Sequence, residues 1–357
     1  MKLYKYILPV LKRLDHETAQ KAALYAMRLL SIKTPKSPSC PALEQHIWGH
    51  AFLSPLGLAA GFDKNALSIN GHFHLGFGFV EVGTVTPEPQ EGNKKPRIFM
   101  DEEHGAIINR MGFPNQGLEV FGRRIGSFRL AHENHWGVLG VNVGVNADSE
   151  SAVEDLKIGM AHLGGMAEYV TLNVSSPNTK GLRTHLQPEN MEAILKSVME
   201  EREKIHERLP AVLVKVSPDI THDQIAPLCD VLKKYDVNGV IVSNTTVQRP
   251  ANLPRDFASQ TGGLSGKPLT QASTDLISAF YQELKGSIKI VGCGGIYDAE
   301  TAYEKIKAGA HLLQLYSALV TEGPQIVKEI EQGLVALLQK DGYQNISQAV
   351  GANHRQG

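Results

Sequence analysis

Cysteine is scarce: three residues (Cys40, Cys229, Cys293) in a chain of 357, far apart and without CxxC spacing. Neither a disulfide framework nor a zinc cluster is indicated, and a reducing compartment is the natural setting. HExxH is absent and the 14 histidines form no ligand spacing, so no metal site is expected. No apolar run approaches the ~18 residues that cross a bilayer. The short Tyr6–Leu11 run, broken by Pro9 and followed by Lys12, Arg13 and Asp15, is a poor signal peptide. Net charge is also lacking. With 36 basic against 37 acidic side chains the balance is −1, which removes any global electrostatic case for nucleic acid or a strongly acidic partner. What remains is 42% apolar and 20% charged, a globular composition that excludes a disordered or fibrous chain.

The near-zero total hides an uneven distribution. Residues 1–36 carry eight basic and two acidic side chains, a local excess of +6. Tyr4, Ile7, Leu8, Leu11 and Leu14 fall at helical spacing, with Pro9 kinking or shortening that helix. A second helix is capped by Asp15, has Glu17 in its first turn, and gathers Ala19, Ala22, Ala23, Ala26, Met27 and Leu30 on one face. The pair reads either as a cap on a larger domain or as a basic amphipathic hairpin lying in a membrane surface. Pro35, Pro38 and Pro41 form a stiff linker behind it. The division expected is an N-terminal helical region over 1–40, a main domain over 41–340 and a polar C-terminal tail over 341–357.

From about residue 50, short apolar runs alternate with helical patterns. The runs are Leu56–Ala60, Phe79–Val82, Val138–Val143, Tyr169–Val174, Val212–Val216, Gly239–Val242, Ile288–Val291 and Leu312–Leu315. Continuous apolarity suits parallel strands buried on both faces. Helices are expected between them, among them Met191–Arg208, Asp223–Lys234 and Thr270–Leu284. The pattern predicts an α/β fold, a (β/α)8 TIM barrel with a small N-terminal helical extension, ahead of a doubly wound sheet.

Chemistry in such a barrel sits at the C-terminal strand ends. Here those ends carry Gly61, Asp63 and Lys64; Thr84; Asn142; Asn173 to Thr179; Lys215; Ser243-Asn244-Thr245; Gly292 to Gly295; and Tyr316-Ser317. One polar strand end is noise, but eight in register mark an active site. The glycines after the seventh strand and Tyr316-Ser317 after the eighth occupy the usual phosphate position, where bare N–H groups form an anion nest. Asn, Ser and Thr amides and hydroxyls read a planar heterocycle. Lys215 is open to three readings: Schiff-base nucleophile, electrostatic stabiliser or tethered surface group. The long stretch from Thr84 to Phe113 is expected to be a lid or flap.

Six segments carry a specific resemblance: Leu56–Lys64 (LGLAAGFDK), Asn109–Phe113 (NRMGF), Asn173–Arg183 (NVSSPNTKGLR), Asn244-Thr245-Thr246, Gly262–Gly266 with Pro268 and Leu269, and Gly294-Gly295-Ile296. In this order they resemble dihydroorotate dehydrogenase, and the match runs from about residue 2 to residue 338. The helical extension and Ser176, where class 1 enzymes have cysteine, resemble class 2, the membrane-associated quinone-dependent form. The resemblance implies FMN in the barrel mouth, contacted by Ala60, Gly61, Phe62, Asp63, Lys64, Thr84, Asn142, Asn173, Lys215, Ser243, Gly266, Gly295, Tyr316 and Ser317. It implies dihydroorotate or orotate held by Lys64, Asn109, Arg110, Met111, Gly112, Phe113, Asn173, Asn178, Asn244 and Thr245. Ser176 is then the catalytic base that takes the C5 proton while the C6 hydride passes to the flavin, with Thr179 and Phe113 as neighbours, and Lys215 stabilises negative charge on the flavin. Electrons leave to ubiquinone or menaquinone between the N-terminal helices of a monomer peripheral to the cytoplasmic face of the cell membrane. Against this stand a Schiff-base lyase and a non-catalytic phosphate-binding barrel. Three positions depart from the family pattern: Val145 for lysine, Gln20 for histidine and Met100 for arginine. The last two bear on the quinone entrance.

Overall fold

The computed structural model describes residues 15–30, 35, 37, 40–132, 135–179, 181–206 and 208–355. Eight parallel strands close into a barrel: β1 (Leu56–Leu58), β2 (Phe79–Val85), β3 (Val138–Val143), β4 (Tyr169–Asn173), β5 (Ala211–Lys215), β6 (Gly239–Val242), β7 (Lys289–Cys293) and β8 (Leu312–Leu315). Each pairs with the next and β8 pairs with β1, which rules out the doubly wound sheet. β2 outruns its expected end because Gly83 and Val85 go on pairing with β3. The helix Thr270–Leu284 has the expected bounds, whereas 191–208 becomes Pro188–Arg202, with proline in the first turn, where no N–H is needed.

Strand alternation sorts the side chains. On β4 and β5, Val170, Leu172, Val212 and Val214 face the surrounding helices, whereas Tyr169, Ala211 and Leu213 fill the barrel interior. The interior is graded along the axis. At the N-terminal end Phe79 and Tyr169 lie over glycines: a Cβ on Gly57 would be 2.4 Å from the Phe79 ring, and one on Gly140 2.0 Å from the Tyr169 ring. The antiparallel pair Gln45–Ile47 and His50–Phe52 plugs this end, with the Phe52 and Phe79 ring centroids 5.4 Å apart. At the other end the same inward positions carry Asn142, Asn173 and Lys215, and Asn173 and Lys215 are register partners. Val145, in place of the expected lysine, is buried in the outer apolar core.

The first expected helix and Pro38 lie outside the described residues. The second spans His16–Leu30, and Asp15 Oδ1 accepts the Thr18 N–H at 3.1 Å as its cap. Leu24 is buried against the barrel's outer core, whereas Tyr25 and Leu29 are exposed. The helix is latched by Glu17, whose carboxylate accepts from Arg97 Nε at 2.7 Å and Nη2 at 2.8 Å. Gln20 Nε2 adds a 2.7 Å bond to the Phe62 carbonyl. At the other end of the chain, the polar segment from residue 341 docks on the barrel: Ile346 and Ala349 are buried, and Asn345 Nδ2 donates to the Pro41 and Glu44 carbonyls.

Hydrogen bonding from Arg97 holds the Glu17 carboxyl below its ordinary value of 4.5. A depressed carboxyl stabilises the fold above its unfolded pKa, and that contribution is lost as pH falls through the folded value. Acidification below about pH 4 should therefore release this helix before the barrel unfolds. Hydrogen exchange should show early loss of protection confined to residues 16–30, and Arg97→Leu should produce the same loss at neutral pH.

Candidate active site

A cavity of about 990 Å³ opens at the C-terminal end of the barrel and extends along the N-terminal helix. Its floor is a network of amides. Glu81, fully buried in β2, accepts from Asn142 Nδ2 at 2.7 Å, Gln314 Nε2 at 2.7 Å and Thr171 Oγ1 at 3.2 Å. With its Nδ2 so engaged, Asn142 turns its oxygen upward to accept from Thr84 Oγ1 at 2.5 Å and Asn173 Nδ2 at 3.1 Å. Asn244 Nδ2 continues the chain to Asn173 Oδ1 at 3.2 Å and Ser175 Oγ at 3.0 Å. The carboxylate therefore fixes which way each amide above it points, because an ionised Glu only accepts.

The loops above are braced as firmly. Arg183 donates to the Ser175 carbonyl at 3.1 Å, the Thr245 carbonyl at 2.8 Å and Asp219 Oδ2 at 2.6 Å, tying the loops after β4 and β6 together. Ser176 is buried, and its Oγ accepts the Asn178 N–H at 3.3 Å. Asn178 Nδ2 reaches Asn109 Oδ1 at 3.3 Å. The expected flap is an antiparallel sheet of Ile98–Asp101, Ala106–Asn109 and Gly263–Gly266, so the loop after β6 supplies its third strand.

Lys215 is buried at the end of β5 and lines the cavity, which removes the tethered-surface reading; no hydrogen bond or ion pair engages it among the described residues. Lys64 lies in the same cavity, with Nζ donating to the Gly61 carbonyl at 2.7 Å. Burial lowers it to about 8 against the opposing pull of Glu17. Gly294 and Gly295 turn with φ of +104° and +69°, and a Cβ on Gly295 would sit 2.3 Å from Thr270 Cα. Only glycine fits this turn, which presents bare backbone to the cavity.

The cavity gathers Ala60, Gly61, Phe62, Thr84, Ser243, Gly295, Tyr316 and Ser317, together with Asn109, Met111 to Phe113, Asn173, Ser176, Asn178, Asn244 and Thr245. Four expected contacts stand back from it. Asp63 is buried, accepting the Leu67 and Ser68 N–H groups at 2.8 Å each and facing His72. Burial alone would raise that carboxyl, but His72 and the two N–H groups outweigh it and hold it below its usual range. Asn142 lies in the lower layer of the floor network and does not line the cavity. Arg110 turns outward over the Phe99 ring at 4.6 Å and donates to Thr261. Gly266 packs on Gly105. Thr179 does not reach the cavity, although Phe113 does. Sequence reasoning passed over Glu81 and Gln314 and gave Arg183 no role; a carboxylate inside the apolar run FVEVGTV is the available signal for the first.

A (β/α)8 barrel with its polar strand ends opening into one deep cavity is an enzyme architecture. The chain belongs to the dihydroorotate dehydrogenase family, whose sequence model matches residues 42–338. It is 42% identical to a dihydroorotate dehydrogenase (quinone) of Rhodospirillum rubrum over 99% of this chain and 95% of the relative. It is 41% identical to the mitochondrial dihydroorotate dehydrogenase (quinone) of Mus musculus, covering 98% and 90%. The ligand-free crystal structure of the Eimeria tenella enzyme superposes with a TM-score of 0.91 at 38% identity, covering 96% of this chain and all of that one.

Glu81→Gln tests the floor. An amide there would turn an N–H toward groups that are already donors, which should cost about 2–3 kcal/mol in urea unfolding. Asn142→Ala, which leaves Glu81 its other two donors, should cost less.

Proposed function

We propose that this cavity binds FMN on its floor, dihydroorotate under the antiparallel sheet, and a quinone in the arm beside the N-terminal helix. The chain is an oxidoreductase that converts dihydroorotate to orotate in pyrimidine biosynthesis with a quinone as acceptor. One observation carries the reading: a single cavity runs from polar strand ends to an arm lined by Ala19, Ala23, Met27, Met100 and Leu319. A polar heterocycle and a lipid-soluble acceptor need opposite surroundings, and both surroundings are present without a wall between them.

The residues present fit FMN. The Gly294-Gly295 turn and Ser317 offer a phosphate cradle, Lys215 a buried amine with no hydrogen-bond or ion-pair partner among the described residues, and Thr84 and Asn173 the polar edge for a flat ring. When bound, FMN supplies the hydride acceptor and the electron path to the quinone. Asn109, Asn173, Asn178 and Asn244 offer both amide donors and acceptors to the dihydroorotate ring, and Lys64 offers charge to its carboxylate. Ser176 Oγ removes the C5 proton; it is held by the Asn178 N–H in a loop that Arg183 anchors. Lys215 stabilises negative charge developing on the floor. Arg110 acts at one remove, fixing the strand that carries Asn109.

Among the described residues no helix is long and apolar enough to cross a membrane. Exposed Tyr25 and Leu29, together with the basic excess of residues 1–36, support a monomer resting on the cytoplasmic face of the membrane through its 1–40 region, with catalysis kept in the 41–340 barrel. Gln20 spends its amide on the Phe62 carbonyl and Met100 is apolar, so the quinone arm makes fewer polar contacts than the family pattern suggests.

The purified protein should be yellow, and anaerobic dihydroorotate should bleach it; a colourless protein that gains no flavin on incubation with FMN would overturn the reading. Ser176→Ala should bind FMN and orotate yet bleach ~10²–10⁴ times more slowly, the usual loss for a general base. The charged form of Lys64 disappears as pH rises through about 8. Orotate affinity, measured by titration, should therefore fall across that pH, and Lys64→Met should abolish the step.

A further inference from the structure

Lys305 lies on the helix Ala299–Ala308 and is fully buried. Its ammonium donates to the Thr270 carbonyl at 3.1 Å, to Thr274 Oγ1 at 2.8 Å and to Ser273 Oγ. All three acceptors are neutral, and no carboxylate lies within ion-pair distance of it among the described residues. A buried ammonium without an ion-pair partner is costly, and burial lowers it to about 7 against the weaker opposing pull of Cys293 and Asp275.

The acceptors explain where the missing charge belongs. Ser273 Oγ donates to the Gly294 carbonyl at 2.8 Å, and Thr270 Oγ1 lies 2.8 Å from both the Gly295 and the Lys267 carbonyls, which share its one proton. In a trans peptide the carbonyl and the following N–H point opposite ways. Tying both carbonyls back against the helix start aims the N–H groups of Gly295 and Ile296 toward the cavity that these residues line. Among the described residues neither N–H has a backbone acceptor. Lys305 thus stands behind a pair of forward-facing donors, joined to them through the Ser273 hydroxyl and the backbone carbonyl of Thr270.

We propose that Lys305 is a positioning residue for the phosphate of the cofactor: through Ser273 and Thr270 it sets the Gly294-Gly295 turn, and it gains a further counter-charge when a phosphate is seated in front of that turn. The inference rests on the FMN reading and adds to it a residue that does not touch the ligand.

Riboflavin, which has the same ring system but no phosphate, supplies the discriminating test. Full-length protein is stripped of flavin, then titrated with FMN and with riboflavin by fluorescence quenching. Lys305→Met should weaken FMN about tenfold or more, the scale of a lost charge-assisted interaction, and leave riboflavin within about twofold. Ser273→Ala keeps the charge but frees the Gly294 carbonyl, and should weaken FMN about threefold with riboflavin again unchanged. Should Lys305→Met not fold, Ser273→Ala decides alone. Equal weakening of both flavins, or unchanged FMN affinity, would leave Lys305 a purely structural residue and overturn the inference. Wild-type protein that binds neither flavin would overturn the FMN reading itself, and this inference with it.

Discussion

Closing eight parallel strands into a barrel leaves room for only about four inward side chains at each level, and period-two alternation dictates which residues those are. Everything else follows from how these few places are used. Tyr169, Thr171 and Asn173 occupy successive levels of one strand, so an aromatic plug, a polar middle and an amide floor follow along a single segment. A shift of one residue in register would send Val170 and Leu172 inward and all three of those groups out among the helices.

The middle level has an unusual occupant. Among the described residues Glu81 has no cation partner within hydrogen-bonding distance; three neutral donors satisfy it. Its contribution is orientation. An amide can be reversed with little steric change, but not when its nitrogen must face a carboxylate, so the polarity of Asn142 propagates upward to Thr84, Asn173 and Asn244. Rigid amides reading one face of a ligand suit selectivity, because a wrong ligand leaves buried groups unpaired. Above them, Arg183 and Asp219 hold two mobile-length loops to one another, so the groups over the floor are as fixed as the floor itself.

The barrel was legible because strands buried on both faces read as uninterrupted apolar runs, and Gly239–Val242 and Leu312–Leu315 fall where those runs do. The strand-end polar residues were legible for the same reason: Lys215 and Asn173 interrupt such runs at their ends. Direction was not legible. Arg110 and Asp63 stand in the midst of cavity residues yet face elsewhere, because a Phe99 ring and two backbone N–H groups, set by tertiary structure, draw them away. Nor could periodicity show that the alanine face of the N-terminal helix borders a cavity. Small side chains suit close packing and an open passage equally, and it is the Glu17–Arg97 latch, the Gln20 bond and the buried Leu24 that set the distance.

The plug at the closed end of the barrel has a consequence for how the chain is made. Trp48 Nε1 donates to the Asn238 carbonyl, and Gln45 Nε2 to the carbonyl of His311 just before the last strand. Ile47 and Phe52 share one apolar cluster with Leu312. Segments made early thus wait for the last strand before they can be covered. Ribosomal synthesis proceeds at ~5–20 residues per second, so this greasy hairpin stays uncovered for on the order of ten seconds or more before its final neighbours emerge. A nascent chain of this protein is therefore a natural client for chaperones that shield apolar segments, however stable the finished barrel is.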